Sequence, residues 1–206
     1  MRSRRTPWPK IAAHVAALTP LIVLAWGYLQ GGLGPDPTGA VVRRTGRYAI
    51  VFLILSLVPT VVRLVTGSGA LLRIRRVIGL YAFMYAALHF LAFAWLDYGF
   101  DLTFLLPAIV EGRRTLAGLA ALVILIPLAL TSTSGWVKRL GRNWQRLHRL
   151  AYLASVLAVL HYAWSFKELR VMPVLAGAIV LLLLVVRIPP VAGSLDRWRR
   201  RRKRPR

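Results

Sequence analysis

Six long apolar runs, separated by short basic or polar segments, limit how this 206-residue chain can fold more than any other feature. Each run is long enough to cross a hydrocarbon core of about 30 Å at about 1.5 Å per helical residue. The backbone inside each run must be helical, because lipid offers no hydrogen-bond partners to exposed peptide groups. The sequence therefore predicts an all-α membrane protein, a bundle of six transmembrane helices over residues 11–29, 47–65, 77–97, 115–134, 149–166 and 171–188.

The composition separates this chain from soluble basic proteins. It is 57% hydrophobic, yet its net charge is +23. A soluble nucleic-acid-binding protein would spread its Lys and Arg over a polar surface, whereas here they cluster between apolar runs. The chain contains no Cys, which excludes disulfides, iron–sulfur clusters, thiolate metal sites and c-type haem attachment. We expect membrane lipid, and no nucleic acid, as a partner.

The distribution of positive charge predicts the orientation. One side holds 22 of the 29 Lys and Arg: the N-terminus, the loops 66–76 and 135–149, the tail, and Arg63 and Arg187 at span ends. The opposite side holds the other seven and five of the six acidic residues. The positive-inside rule therefore places both termini in the cytoplasm. We expect three parts: a cytoplasmic segment 1–10, a transmembrane domain 11–188 and a basic cytoplasmic tail 189–206 that anchors on anionic lipid.

Two histidines inside apolar runs lie at matched depth. His89 is thirteen residues beyond Arg76 in the third span, and His161 is thirteen residues beyond His148 in the fifth. Both spans run outward, so each histidine lies roughly 20 Å from the inner edge. Two neutral imidazoles at one level can supply both axial ligands of a b-type haem, and ionisable residues inside spans are usually functional. The plainer alternative is that each histidine makes a helix–helix hydrogen bond in a packed bundle.

A second, less defined site is expected at the inner edge of the membrane. His148 lies there at the depth of Arg75 and Arg76, and of His14. This set suits a second haem with an unusual partner ligand, or a flavin or quinone whose oxygens face the arginines. The alternative is a basic cluster that only sets topology. Thirteen helical residues turn the helix face by about 140°, so His148 and His161 need not face one common cavity.

Two other classes of function are compatible with buried histidines. A proton- or ion-coupled transporter would use them as proton relays, but it would also need acidic residues within the spans. Asp97, at the outer end of the third span, is the only acidic residue inside a span. A non-catalytic membrane anchor would use the histidines for packing alone. A haem protein is therefore the favoured reading.

Five short segments match the motifs of one known family in the same order: residues 31–37 (GGLGPDP), 75–89, 131–134 (TSTS), 144–148 (WQRLH) and 161–165 (HYAWS). They resemble the MsrQ family of haem-binding membrane subunits, within the ferric-reductase-like transmembrane group, and the resemblance extends from about residue 10 to 188. It implies a multi-pass protein of the bacterial inner membrane with a b-type haem and an associated FMN. It also implies non-catalytic electron transfer to MsrP, a periplasmic molybdopterin enzyme that reduces methionine sulfoxide in oxidised proteins. The donor would be the quinone pool or a cytosolic flavin reductase.

The resemblance also carries site residues onto this chain. The haem-iron ligands of the family fall on His89, His148 and His161. The related NADPH oxidases have four such histidines, two on each of two helices, and a fused flavin and nucleotide domain that this chain lacks. On the third span this chain has only His89, with Arg75 and Arg76 where the inner histidine would lie. We therefore expect these two arginines to contact the inner cofactor.

Overall fold

The computed structural model describes residues 8–166 and 170–202, and this part of the chain is built from helices joined by short turns. Five further residues, Phe93–Asp97, extend the third helix as a π-helical turn. The α-helices of the described part are α1 Trp8–Leu29, α2 Pro37–Thr66, α3 Leu72–Ala92, α4 Leu102–Val110, α5 Arg113–Leu130, α6 Ser134–Leu140, α7 Arg142–His148, α8 Leu150–Ala163, α9 Val171–Val185 and α10 Pro189–Arg202.

Four described helices are long and apolar enough to cross a membrane: α1, α2, α3 with its π-helical turn, and α5. They coincide with the first four predicted spans, although α5 ends at Leu130 instead of residue 134. Helices α8 and α9 occupy the last two predicted spans but have only 14 and 15 residues. Helix α9 qualifies as a span only together with α10, across a bend of 71°. The tight turn predicted between α8 and α9 includes residues 167–169, which lie outside the described residues.

The outer surface of the bundle is apolar. Large hydrophobic side chains from several helices are exposed there, among them Trp26, Leu106, Val123 and Leu182. Such a surface is stable only in contact with lipid, since soluble proteins rarely expose extensive apolar patches. The chain is therefore a multi-pass membrane protein.

Four helices converge on one central core. The most extensive interface joins α2 to α3, and the next joins α5 to α8. Their shared buried cluster consists of Leu53, Ala82, Leu125, Leu128 and Ala154. The two alanines allow the helix backbones to approach closely. Below, the end of the bundle where α2 and α5 begin, and where α3 and α8 end, is the upper end; the opposite end is the lower end.

The glycine-rich segment 31–37 forms the turn that starts α2. Gly31 and Gly34 adopt positive φ angles of 68° and 88°, which glycine accepts without steric cost. The carboxylate of Asp36 accepts a hydrogen bond from the Gly39 N–H at 2.9 Å and pairs with Arg43 at 2.9 Å. The Gly39 N–H and then the Arg43 guanidinium hold the pKa of Asp36 below its ordinary value. Asp36 thus caps α2 in its ionised form.

A short apolar helix, α4, lies between the third and fourth long helices. It begins at the cap residue Asp101, whose side chain accepts a hydrogen bond from the Thr103 N–H at 2.8 Å. Leu105 and Ile109 of α4 join Ala94 of the π-helical turn in a small buried cluster. Helix α4 therefore closes the upper end of the bundle beside α5.

Candidate functional site

The structure brings His89 and His161 together near the upper end of the bundle. His89 lies on α3 and His161 lies on α8. Their ring centres are 5.8 Å apart and their planes are inclined at 69°. Two helices that are not neighbours in sequence therefore present one imidazole each to the same place, at the matched depth that the sequence predicts.

A backbone carbonyl fixes each of these rings. Nδ1 of His89 lies 2.9 Å from the carbonyl oxygen of Val42 on α2, and Nδ1 of His161 lies 2.9 Å from the carbonyl oxygen of Arg114 on α5. A carbonyl can only accept, so each Nδ1 carries the proton and donates it. In the neutral ring the lone pair is then on Nε2, which makes no hydrogen bond with the described residues. An Nδ1–H bond of this kind sets the tautomer and orientation of a metal-binding histidine.

Two glycines seat the histidine rings. A Cβ placed on Gly46 would lie 3.0 Å from Cε1 and from Nδ1 of His89, and one on Gly118 would lie 2.7 Å from Nδ1 of His161. The rings therefore pack directly against the backbones of α2 and α5, where any side chain would displace them. Sequence analysis missed both glycines. The signal was present, because a glycine inside a helix costs about 1 kcal/mol relative to alanine and calls for a packing reason.

The geometry of this pair fits the axial coordination of a haem iron. Two imidazoles that bind one metal ion at about 2 Å, from opposite sides, hold their ring centres roughly 6 Å apart. Ala86 and Ala158, one turn from the two histidines, are small side chains beside the central core. The described residues include no group of three or more His, Asp or Glu side chains that could hold a metal ion. Haem iron, whose macrocycle supplies the other ligands, needs only two such protein ligands.

The third predicted ligand, His148, lies at the lower end in a different hydrogen-bonding environment. The Thr131 hydroxyl donates its proton to the carbonyl of Pro127 at 2.6 Å, so it accepts from Nε2 of His148 at 3.1 Å. The imidazole stacks on Trp144 with ring centres 4.0 Å apart, and the Trp144 indole donates to the carbonyl of Thr131 at 2.9 Å. His148 therefore carries its proton on Nε2, the opposite tautomer to that of the upper pair. Its Nδ1 is the nitrogen left for a ligand.

The two predicted arginines differ in position. Arg75 is half-buried, and its guanidinium lies within electrostatic reach of His148 and of Arg187 on the segment after α9. Arg76 is exposed. His14 does not join His148, because its Nδ1 lies 2.9 Å from the hydroxyl of Tyr81. Of the residues expected at the inner site, Arg75 is the one within electrostatic reach of His148.

An open cavity of about 650 Å³ lies at the upper end beside the histidine pair. Arg114, whose carbonyl holds His161, contributes to its lining together with Arg113, Glu111 and Trp164. The guanidinium of Arg113 lies over the Trp164 ring, 5.4 Å from its centre. Arg114 therefore links the lining of this cavity to the upper histidine pair.

Comparisons with known proteins give one consistent relationship. Residues 45–159 match the family described as ferric reductase like transmembrane component. A relative from Xanthomonas campestris pv. campestris (strain 8004) is 42% identical over 84% of this chain and 83% of its own length. A relative from Herminiimonas arsenicoxydans is 42% identical over 87% of this chain and 84% of its own length.

Both relatives carry the same name, protein-methionine-sulfoxide reductase heme-binding subunit MsrQ. No solved structure matches this chain. The matched family segment includes His89 and His148 and ends two residues before His161. By the length of the match and the identity to these relatives, this chain belongs to the MsrQ family within the ferric-reductase-like transmembrane proteins.

Proposed function

We propose that this chain is a membrane b-type cytochrome that carries electrons across the bacterial inner membrane for a methionine sulfoxide reductase system. The observation that carries the proposal is the pair His89 and His161, with ring centres 5.8 Å apart and the proton of each ring committed to a backbone carbonyl. The name of its relatives, heme-binding subunit, supports this assignment.

His89 and His161 would hold the haem iron, each through Nε2. A bound haem would supply a one-electron iron couple. The remaining work belongs to the protein. The carbonyls of Val42 and Arg114 fix the ring orientations, and Gly46 and Gly118 leave the space into which the two rings pack.

The lower end would hold the site that receives electrons. His148 is the third proposed iron ligand, and Arg75 and Arg76 are the proposed contacts to the lower cofactor, Arg75 from inside the bundle and Arg76 from its surface. His161 lies thirteen positions after His148, an offset that corresponds to roughly 20 Å of helical rise. The two histidines therefore belong to two sites at different depths, which together form a path through the membrane.

The proposed topology has six spans and both termini in the cytoplasm. In this arrangement α8 and α9 form the fifth and sixth spans, the lower end with its many Lys and Arg faces the cytoplasm, and the upper end faces the periplasm. The charge distribution supports this orientation. The transmembrane domain would cover residues 11–188, flanked by the segment 1–10 and the basic tail 189–206.

The proposed partners follow from the family. The acceptor would be MsrP, the periplasmic molybdopterin enzyme that repairs methionine sulfoxide in oxidised proteins, and the donor would be the quinone pool or a cytosolic flavin reductase. FMN is the second proposed cofactor. The upper cavity beside His161, with Arg113 and Arg114 at its rim, supports electron exit at that end. The chain would serve as a non-catalytic electron-transfer subunit.

A visible spectrum of the purified protein tests the haem assignment. We expect a Soret band and a reducible α band typical of a low-spin haem with two imidazole ligands. His161→Ala and His89→Ala should each abolish this upper-haem signal, because one axial ligand is lost. His14→Ala should retain it, since His14 bonds to Tyr81.

A colourless wild-type protein would overturn the proposal and favour a transporter or a membrane anchor. An undiminished bis-imidazole spectrum in purified His161→Ala would overturn the ligand assignment alone. Co-purification with a periplasmic molybdoenzyme, and haem reduction by a quinol or by a flavin reductase, would test the partners separately.

A further inference from the structure

Arg187, just after α9 at the lower end, is a cation with unsatisfied hydrogen-bonding groups. Its Nη2 donates to the carbonyl of Leu57 on α2. Its Nε and Nη1 are buried and have no acceptor among the described residues. Burying a guanidinium removes water that would otherwise satisfy these donors, so a native protein normally supplies an oxygen in its place.

The side chain of Thr60 adds a second orphaned group on the same stretch of α2. Thr60 lies one helical turn after Leu57, and its hydroxyl is buried without a hydrogen-bond partner among the described residues. Other helical hydroxyls of this chain bond back to the preceding turn: Thr45 to Val41, Thr66 to Val62 and Thr131 to Pro127. The Thr60 hydroxyl does not make this bond to the preceding turn, so it is available to a ligand.

Among the described residues, the surroundings of Arg187 carry positive charge and no acid that pairs with it. The guanidinium carbon lies 5.1 Å from the centre of the Tyr152 ring, and the Tyr152 hydroxyl also interacts with the guanidinium. Tyr152 comes four residues after His148. Arg75 lies within electrostatic reach of both His148 and Arg187. In the described part of the chain, the ion pairs use only Asp36 and Asp196 as acids, and neither pairs with these arginines. Two neighbouring cations that no described acid pairs with favour an anionic ligand at this place.

We propose that Arg187, together with Thr60 and Arg75, binds the acidic arm of the cofactor that lies beside His148. The ligand chemistry is an anionic oxygen, either a carboxylate of a haem or the phosphate of a flavin mononucleotide. The planar guanidinium suits both, because its orphaned N–H groups, on Nε and on Nη1, can each donate to an anionic oxygen. This inference rests on the proposed function, since it assumes a lower cofactor site.

The test compares cofactor content in four purified variants of the full chain. Arg187→Gln removes the charge, Arg187→Lys keeps it, Thr60→Val removes the hydroxyl at equal size, and Arg73→Gln removes an exposed arginine at the same end as a matched control. Haem is measured per chain by pyridine haemochrome and FMN by fluorescence after release. The spectrum of the upper bis-histidine haem reports that the bundle has folded.

Arg187→Gln should bind the lower cofactor on the order of tenfold or more weakly, because a charge-assisted hydrogen bond is lost. Thr60→Val should weaken it less, while Arg187→Lys should restore most of the binding and Arg73→Gln should equal wild type. Loss of haem identifies a carboxylate, and loss of FMN identifies a phosphate.

Unchanged haem and FMN content in Arg187→Gln, with the upper haem intact, would overturn the inference and leave the proposed function standing. Loss of a tightly bound anionic phospholipid instead, detected by mass spectrometry with both cofactors retained, would overturn it in favour of a lipid site. A wild-type protein without haem would instead contradict the proposed function itself.

Discussion

At the scale of single residues, the histidines depend on neighbours that have no side chain. Gly46 and Gly118 lie where the rings of His89 and His161 touch the backbones of α2 and α5. A methyl group on Gly118 would approach Nδ1 of His161 to 2.7 Å, and one on Gly46 would approach His89 to 3.0 Å. The tighter contact belongs to Gly118, so substitution there should have the larger effect.

Gly118→Ala should therefore disturb the upper haem while leaving the ligand itself in place. Overpacking of this kind costs roughly 1–3 kcal/mol, and here it would displace or rotate the imidazole of His161. We expect partial haem loss and altered low-spin g-values in the electron paramagnetic resonance spectrum. Gly46→Ala should give the same changes more weakly.

Gly79→Ala is the matched control for these substitutions. Gly79 also lies inside a long helix, but its added Cβ would meet only Ser56 Cβ, at an ordinary 3.9 Å. This variant should keep the wild-type spectrum and gain roughly 0.4–1 kcal/mol of stability. If Gly118→Ala matched Gly79→Ala in spectrum and haem content, the seating role of Gly118 would be wrong.

At the scale of helices, the length of each apolar segment determined whether its helix could be predicted from the sequence. The first four predicted spans coincide with α1, α2, the extended α3 and α5, because long apolar runs must be helical in lipid. Helix α4 was not predicted, because it is apolar but has only nine residues and is too short for a span. The predicted fifth span is too long, because the apolar segment continues to residue 166 whereas α8 ends at Ala163.

In the candidate site, too, some features could be predicted from the sequence and others could not. The level shared by His89 and His161 follows from counting residues from the inner edge, so it could be predicted. Their partners, the carbonyls of Val42 and Arg114, could not be predicted, because every residue has a carbonyl and only the packing of α2 and α5 selects these two. The tautomer of His148 also escaped prediction, since it depends on the hydroxyl of Thr131 reaching across from the end of α5.

The N-terminal cap of α2 gives a prediction for pH. Asp36→Ala removes the acceptor of the Gly39 N–H and should lower the thermal stability of the detergent-solubilised protein at neutral pH. The pKa of Asp36 is lowered in the folded state, so its contribution is fully present above the ordinary pKa and is lost as pH falls through the lowered one. The difference in melting temperature between wild type and variant should shrink as the pH falls below about 4. A difference in melting temperature that stayed constant at low pH would contradict the proposal that ionised Asp36 caps α2.

At the scale of the whole molecule, the proposed orientation makes the lower end cytoplasmic and the upper end periplasmic. Alkaline phosphatase, which is active only after export, should be active when fused after residue 112 and inactive when fused after residue 141. Green fluorescent protein fused after residue 206 should fluoresce, because it folds in the cytoplasm. The reverse pattern would show that the bundle is inverted and that electrons leave at the other face.

The contacts of the C-terminal tail also concern the whole molecule. Helix α10 is bent by 71° relative to α9. The side chain of Arg199 donates a hydrogen bond of 3.2 Å to the carbonyl of Arg63, which lies in the last turn of α2. Asp196 pairs with Arg199 and Arg200, so part of the tail charge is neutralised within the helix. The described portion of the tail therefore packs against the lower end of α2.

The carbonyl acceptors of the two upper histidines have an evolutionary consequence. A peptide carbonyl survives almost any change of the side chain attached to it, so residues 42 and 114 can drift in sequence without releasing the rings that they hold. Selection on the orientation of these rings then falls on whatever keeps α2 and α5 close, above all on positions 46 and 118. Among relatives, the histidines should covary with those two positions and with no hydrogen-bonding side chain. A comparison of side chains alone would therefore not identify the two carbonyl acceptors.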